Sequence, residues 1–392
     1  MVKRRCKGPQ SSLPIDIIRD EILVKLPVKF LLRCRCVSKS WCRIIDDPSF
    51  ASNHYKKCQN NQEKTRLLVL EPPDMCVAKQ ICAIRNGGKF RKLSKIGIDV
   101  TWFEQYQAVG YVNGLLCIKR YLKETQISQI LLWNPSIRKA LEIPCSRFSN
   151  DLQIRYDIDC AIGYDQVKDD YKVVASVVIQ NGLYIPSDVE VFTLHTFSWK
   201  SVNVRRGPWL WRKDSPKVFL NGVIYWGALH VLVQTTLKGR FSHFMSFSVS
   251  NDTFNCIELP NNEQIHEWEY ERFPIILDQS IGLMKVFESC SQIWVLEESK
   301  GKEQTWIKRF NINLQLFKKC IYFKMDGELL FAGEKCGVNS YDIKRQETKV
   351  LAKSYKLSPF YICVYMESLA LLKGVPKKAT YTFPPHGTVQ SG

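Results

Sequence analysis

Acidic residues are scarce in this sequence of 392 residues: 38 Asp+Glu stand against 56 Lys+Arg, a formal charge of +18. That deficit raises nucleic acid, an anionic membrane or an acidic protein as partners. Paired cysteines are missing too. Fifteen cysteines run from Cys6 to Cys363 without one Cys-x-x-Cys spacing, and their odd number cannot close completely. A disulfide framework and a structural zinc site are therefore not expected, and buried thiols in a reducing compartment are. The tightest group, Cys34, Cys36 and Cys42, falls in a helical stretch where a thiol acts as a small apolar side chain. The basic start, Lys3-Arg4-Arg5 and Lys7, is not followed by the apolar core of a signal peptide, so a cytoplasmic and/or nuclear location is expected. No long apolar run is present either. The uncharged stretch between Lys217 and Lys238 is broken by Asn221-Gly222, Gly227, His230 and Gln234, which reads as two strands and a hairpin, not a membrane span.

Catalytic signatures are equally absent. His266-Glu267-Trp268-Glu269-Tyr270 begins like a zinc-protease helix, but Tyr270 stands where the second histidine belongs. The six histidines share no ligand spacing, and neither a phosphate-cradling glycine loop nor a Gly-x-Ser-x-Gly elbow occurs. Neither an enzyme nor a cofactor or metal site is expected.

What is present changes character at about residue 60. From Leu13 to about Lys57 the punctuation is helical: Pro14 and Pro27 suit first turns, and Asp47-Pro48 reads as a cap opening a new helix. Ile18, Ile22 and Leu26 recur at four-residue spacing, continued by Phe30 and Cys34, and Leu31, Val37, Trp41, Ile44 and Ile45 add apolar surface. Three or four short helices in so short a segment bury little of their own surface. The excess apolar face is expected to dock on something larger, a partner or the rest of this chain.

Leu13-Pro14-Ile15-Asp16-Ile17-Ile18, Glu21-Ile22-Leu23, Leu26-Pro27-Val28-Lys29, the block Arg35-Cys36-Val37-Ser38-Lys39-Ser40-Trp41, and the downstream Pro48 and Phe50 together resemble an F-box of the plant type. One departure is Phe30, where these proteins usually carry a small polar residue. The resemblance implies binding to a Skp1-like adaptor and, through it, to the cullin and RING subunit of a ubiquitin ligase. By the family pattern Leu13, Pro14, Ile17, Ile18, Ile22, Leu26, Pro27, Leu31, Leu32, Val37 and Trp41 form that interface or support it from the core.

From about residue 66, runs of Val, Ile, Leu, Tyr, Phe and Trp alternate with Asn, Asp, Gly, Ser and Pro, as many strands joined by turns do. Asn113-Gly114, Asn221-Gly222 and Asp326-Gly327 mark turns 108 and 105 positions apart, with Ile162-Gly163 and Ile281-Gly282 between them. The working period is thus about fifty residues, one glycine-marked hairpin plus one aromatic hairpin, which fits the four-stranded blade of a kelch-like propeller with roughly five to seven blades. Residues 365–371 are expected to close the ring against a strand such as Arg66 to Leu70. Four phrases also resemble the F-box-associated domain of plant F-box proteins: Trp133-Asn134-Pro135-Ser136, Gly163-Tyr164-Asp165 with Asp169-Asp170-Tyr171-Lys172, Phe219-Leu220-Asn221-Gly222-Val223-Ile224-Tyr225-Trp226, and Tyr365-Met366-Glu367-Ser368-Leu369.

The expected fold class is therefore α plus all-β: a basic tail over 1–10, a helical F-box over 11–58, a linker with the first β elements over 59–105, a kelch-like β-propeller over 106–375 and a tail over 376–392. The resemblance implies a substrate-recognition subunit of an SCF-type ubiquitin ligase, and pollen S-locus F-box proteins share the architecture. Target contacts are expected on propeller loops; Arg205, Arg206, Trp209, Trp211, Arg212 and Lys213 form a loop that breaks the repeat. The alternative is a nucleic-acid-binding or other non-ligase propeller, against which stands the lack of a recognition helix or an aromatic-basic stacking motif. The charge also speaks against it: residues 1–60 hold thirteen Lys+Arg and five Asp+Glu, so the surplus is densest around the F-box.

Overall fold

The turns set the frame. Asn113 and Gly114, and again Asn221 and Gly222, have positive φ at both positions (46° and 90°, 48° and 80°), the geometry of two-residue hairpin turns that only such residues take cheaply. The computed structural model describes residues 13–60, 66–70, 79–86, 90–99, 104–122, 127–145, 157–178, 183–184, 189–203, 209–212, 216–230, 242–260, 269–298, 304–312, 320–323, 327–333, 337–353, 361–372 and 380–382. The uncharged stretch after Lys217 opens as the expected hairpin, Val218–Leu220 against Val223–His230 with Val218 opposite Tyr225. Among the described residues no helix is long and apolar enough to cross a membrane.

Six antiparallel sheets follow one another around a ring among the described residues. Blade 2 is Glu104–Val112, Leu115–Leu122, Ile127–Asn134 and Lys139–Glu142; blade 3 is Asp157–Asp165, Asp170–Val178, Val189–Thr193 and Ser198–Val202. Blade 4 is Val218–Leu220, Val223–His230, His243–Ser248 and Thr253–Glu258. Blade 5 is Glu269–Leu277, Ser280–Phe287, Ser291–Glu298 and Gln304–Ile312, and blade 6 is Cys320–Phe323, Glu328–Gly333, Gly337–Asp342 and Glu347–Lys353. Blade 1 joins the two ends of the propeller: Arg66–Leu70, Lys79–Asn86 and Lys92–Asp99 are completed by Tyr361–Tyr365.

The closing strand differs from the sequence expectation. The partner is the expected Arg66–Leu70, but the strand is Tyr361–Tyr365, with Arg66 opposite Tyr365, and residues 366–372 leave the sheet. Alternation could not separate the two, because Leu369 and Leu371 are buried like strand residues while packing elsewhere. The first blade starts at Arg66, and Thr380–Thr382 adds a strand to blade 2 beside Lys139–Leu141.

Each gap between blades holds its own apolar cluster. Trp133 with Leu68 and Cys82 fills the gap between blades 1 and 2, Cys117 with Cys160 and Ile162 the next, and Ala161 with Trp226 and Phe247 the third. Phe244 with Leu283, Met284 with Leu329, and Leu330 with Val69 and Ile362 complete the circuit. Polar ties repeat alongside. Lys172 donates to the Val249 carbonyl at 2.6 Å and to Asp252 at 2.7 Å, pinning blade 3 to a turn of blade 4. The indoles of Trp199 and Trp306 each donate to a carbonyl of the preceding blade's outer edge, Pro144 at 2.7 Å and Glu258 at 2.8 Å. At Gly163 a Cβ would lie 2.6 Å from Val249, so the glycine there admits the neighbouring blade.

The helices sit on one end of this ring. Ser52 meets Asp169 in the first turn of blade 3 at 3.4 Å, and Ile137 in a turn of blade 2 packs against the helical core. These turns join first to second and third to fourth strands. The fourth strands of blades 2, 3 and 4 run from these turns to the opposite end, finishing at Glu142, Val202 and Glu258.

A candidate protein-binding face on the N-terminal helices

Pro14, at φ −53° and ψ 140°, directs the chain into α1 (Ile15–Ile17), which runs on into a π-helical turn over Ile18–Ile22 and a 3-10 turn over Leu23–Lys25. Leu26 and Pro27 are extended, and α2 (Val28–Cys34) starts after them, so both prolines stand one position before the first turn instead of inside it. Ser38 caps α3 (Lys39–Ile45) by accepting the Trp41 N–H at 3.2 Å, and Asp47 accepts the Ser49 N–H at 2.8 Å at the start of α4 (Pro48–Asn60). Arg35 ties the end of α2 to Asp46 at the end of α3 at 2.7 Å, and that carboxylate raises the guanidinium pKa further.

His54 reaches back from α4 across this bundle. Its Nε2 lies 2.8 Å from the Leu26 carbonyl, and since a carbonyl only accepts, this nitrogen carries the proton. The ring is buried, and burial lowers its pKa below 6.5 although the Leu26 carbonyl and the Glu367 charge pull the other way. It fixes the kink between the 3-10 turn and α2.

Burial sorts the apolar residues into two sets. Leu23, Val24, Val28, Leu31, Ile45 and Phe50 form the core of the bundle, with Ile18, Leu26, Leu32 and Trp41 half-buried against it. Leu13, Ile15, Ile17, Ile22, Phe30 and Val37 are between 41% and 69% exposed, and Pro14 and Pro27 are exposed beside them. Of the residues that the family pattern singles out, Leu31 belongs wholly to the core and six remain available to a partner. Ile15 and Phe30 are not among the expected interface residues, although Ile15 stands in the first Leu-Pro phrase and Phe30 continues the four-residue apolar period. Arg33 lies over the Phe30 ring at 5.7 Å. Exposed Lys25, Lys29, Arg33, Lys39 and Arg43 lie in the same segment as exposed Asp16, Asp20 and Glu21, and Lys25 pairs with Glu21 at 2.7 Å.

The residues offered as a target-binding loop behave otherwise. Trp209–Arg212 is a strand, not a loop: Trp209 pairs with His230, Trp211 with Ala228, and Leu183–Tyr184 pairs on its other side. It continues the inner edge of blade 4 beyond Val218–Leu220, as its β-prone tryptophans and leucine favour. Arg205, Arg206 and Lys213 lie outside the described residues, as does His266. Among the described residues no three metal-binding side chains converge.

Comparison with known proteins gives this arrangement its place. The family model described as the F-box associated beta propeller domain matches residues 88–365, and the F-box domain model matches residues 11–53. The chain belongs to the F-box-associated β-propeller family. An F-box/kelch-repeat protein of Arabidopsis thaliana is 25% identical, covering 77% of this chain and 79% of its own. The F-box protein CPR1 of the same plant is 24% identical over 77% of this chain and 73% of its own. Among solved structures, a DUF4784 family protein from Bacteroides caccae overlays at a TM-score of 0.40 with 13% identity, covering 76% of this chain and 73% of that one. Nothing about function follows from so loose a likeness. In this F-box protein the phrases typical of the family are contact points: Asn134 of the Trp-Asn-Pro-Ser phrase donates to the carbonyls of Ser368 and Ala370 at 2.9 and 2.8 Å.

Proposed function

We propose that this F-box protein recruits target proteins to an SCF-type ubiquitin ligase, its F-box binding a Skp1-like adaptor and its propeller holding the target. The observation that carries the reading is the row Leu13, Ile15, Ile17, Ile22, Phe30 and Val37, left exposed on a bundle whose other side is already covered by the propeller. Rows of exposed apolar residues within so few positions mark protein interfaces, a helical partner offering apolar pockets fits them, and the surplus of thirteen Lys+Arg over five Asp+Glu in residues 1–60 favours an acidic partner. Target contacts fall to the ring end opposite the helices, where Trp209–Arg212 extends blade 4. A target held there reaches the ubiquitin-charged enzyme by proximity, and the transfer chemistry belongs to other subunits. The eleven cysteines found free among the described residues fit work in the reducing cytoplasm or nucleus.

The test is co-purification of the full chain with a Skp1-like adaptor and cullin, beside an Ile17→Asp/Ile22→Asp variant. The expected result is a stable complex for the parent and a loss of roughly 30-fold or more in affinity for the variant, as for hot-spot residues. A folded variant that keeps parental affinity overturns the assignment. So does a parent that binds no adaptor.

A further inference from the structure

The F-box core is completed from the far end of the chain. Leu369 lies 2% exposed among Leu23, Val24, Val28, Leu31, Ile45 and Phe50, and Leu372 packs beside it. Two residues earlier, Glu367 supplies what α2 lacks. Pro27 brings no capping side chain, and the orphan N–H of Val28 donates to Glu367 Oε2 at 2.7 Å while Arg66 donates to Oε1 at 2.8 Å.

The propeller holds this segment just as firmly. Tyr111 donates its hydroxyl to the Met366 carbonyl at 2.8 Å, Ser368 N–H donates to Ser136 Oγ at 3.0 Å, and Lys139 donates to the Leu371 carbonyl at 2.8 Å. Gly114 makes room: a Cβ there would overlap the Ser368 side chain. Residue 366 follows directly on Tyr365, which pairs with Arg66 in the strand that closes the ring. The segment thus enters the F-box directly from the strand that closes blade 1.

We propose that Glu367 and Leu369 couple ring closure to F-box assembly, so that a chain presents an intact adaptor-binding bundle only when its propeller is complete. Both are positioning residues that act through the helices. A chain with an open or unfinished ring would then fail to enter a ligase, a quality control built into the topology. The adaptor arm of this inference rests on the function proposed above; the coupling itself does not.

The test is hydrogen exchange on the full chain. In Glu367→Ala/Leu369→Ala, amides of residues 13–50 should exchange about tenfold faster or more while blades 3 and 4 keep their protection. Adaptor affinity should fall by a like factor, since only the assembled fraction binds. Leu369→Met should restore both. In Val364→Pro, which breaks the closing strand opposite Leu67, the F-box should lose protection together with blade 1. Unchanged F-box protection in either variant overturns the proposal, and so does a parallel loss across all six blades. A parent that binds no adaptor while its variants lose F-box protection defeats the ligase reading and leaves the coupling standing.

Discussion

Between residues 13 and 37, six large apolar side chains stand at 41% exposure or more; across the described residues of the six blades four do, Leu93, Val167, Ile307 and Val350, each in a different blade. The ring spends its apolar residues on its own gaps, one cluster between each pair of blades. The helices cannot. A bundle of fewer than fifty residues has too much surface for its volume, so one side is covered by the propeller and the other stays exposed. A region that is short of core and rich in exposed apolar residues is one shaped for assembly.

That contrast can be broken most severely at Leu31, which the family pattern leaves open between interface and core and the structure places at 0% exposure in the core. Leu31→Asp should unfold the helices at a cost of roughly 4 kcal/mol or more and abolish adaptor binding by loss of fold. The check is helical circular dichroism with limited proteolysis. A folded Leu31→Asp would mean that the two sets of residues were sorted wrongly. Next in size is Gly114→Ala, where φ of +90° and the approach of Ser368 both oppose a side chain. It should cost about 2–4 kcal/mol in denaturant unfolding. A neutral result would show that the junction tolerates slack.

Smaller effects sharpen the same comparison. His54 is buried with a pKa lowered from its unfolded value of about 6.5, chiefly by burial. A depressed histidine pKa means the unfolded state binds more protons, so the stability its neutral form contributes is present above about pH 6.5 and drains away below it as pH falls through the lowered folded pKa. Exchange protection of the helices should therefore drop on acidification, and His54→Gln should flatten the profile. Acid sensitivity unchanged in that variant would assign it to another group. Smallest is salt. The surplus of thirteen Lys+Arg over five Asp+Glu in residues 1–60 should speed association with an acidic partner, so added salt should slow binding several-fold with little change in dissociation. Stopped-flow mixing at two ionic strengths reads this; salt-independent association would remove the charge argument.

The F-box was legible because its identity lies in one contiguous block, from Leu13-Pro14 to Phe50. What the block could not reveal was which apolar residue faces which way: core and partner surface ask for the same chemistry, and the π turn over Ile18–Ile22 breaks the four-residue period that would have sorted them. The propeller was legible as a repeat, because turns such as Asn113-Gly114 and Asn221-Gly222 need residues that accept positive φ. Its closure was only half legible. Arg66–Leu70 was expected as the receiving strand, yet residues 366–372 have strand-like alternation and serve as a strut under the helices, because Asn134, Tyr111 and Ser136 bind their backbone in place of a ladder. The insertion at Trp209 hid a strand for a related reason, since pairing with His230 joins residues on either side of a turn and of a second short strand.

The most direct measurement is hydrogen exchange of the full chain with and without a Skp1-like adaptor. The account predicts new protection confined to residues 13–45, around Leu13, Ile15, Ile17, Ile22, Phe30 and Val37, with the blades unchanged. Protection appearing on the propeller end opposite the helices, or none anywhere at saturating adaptor, would contradict it.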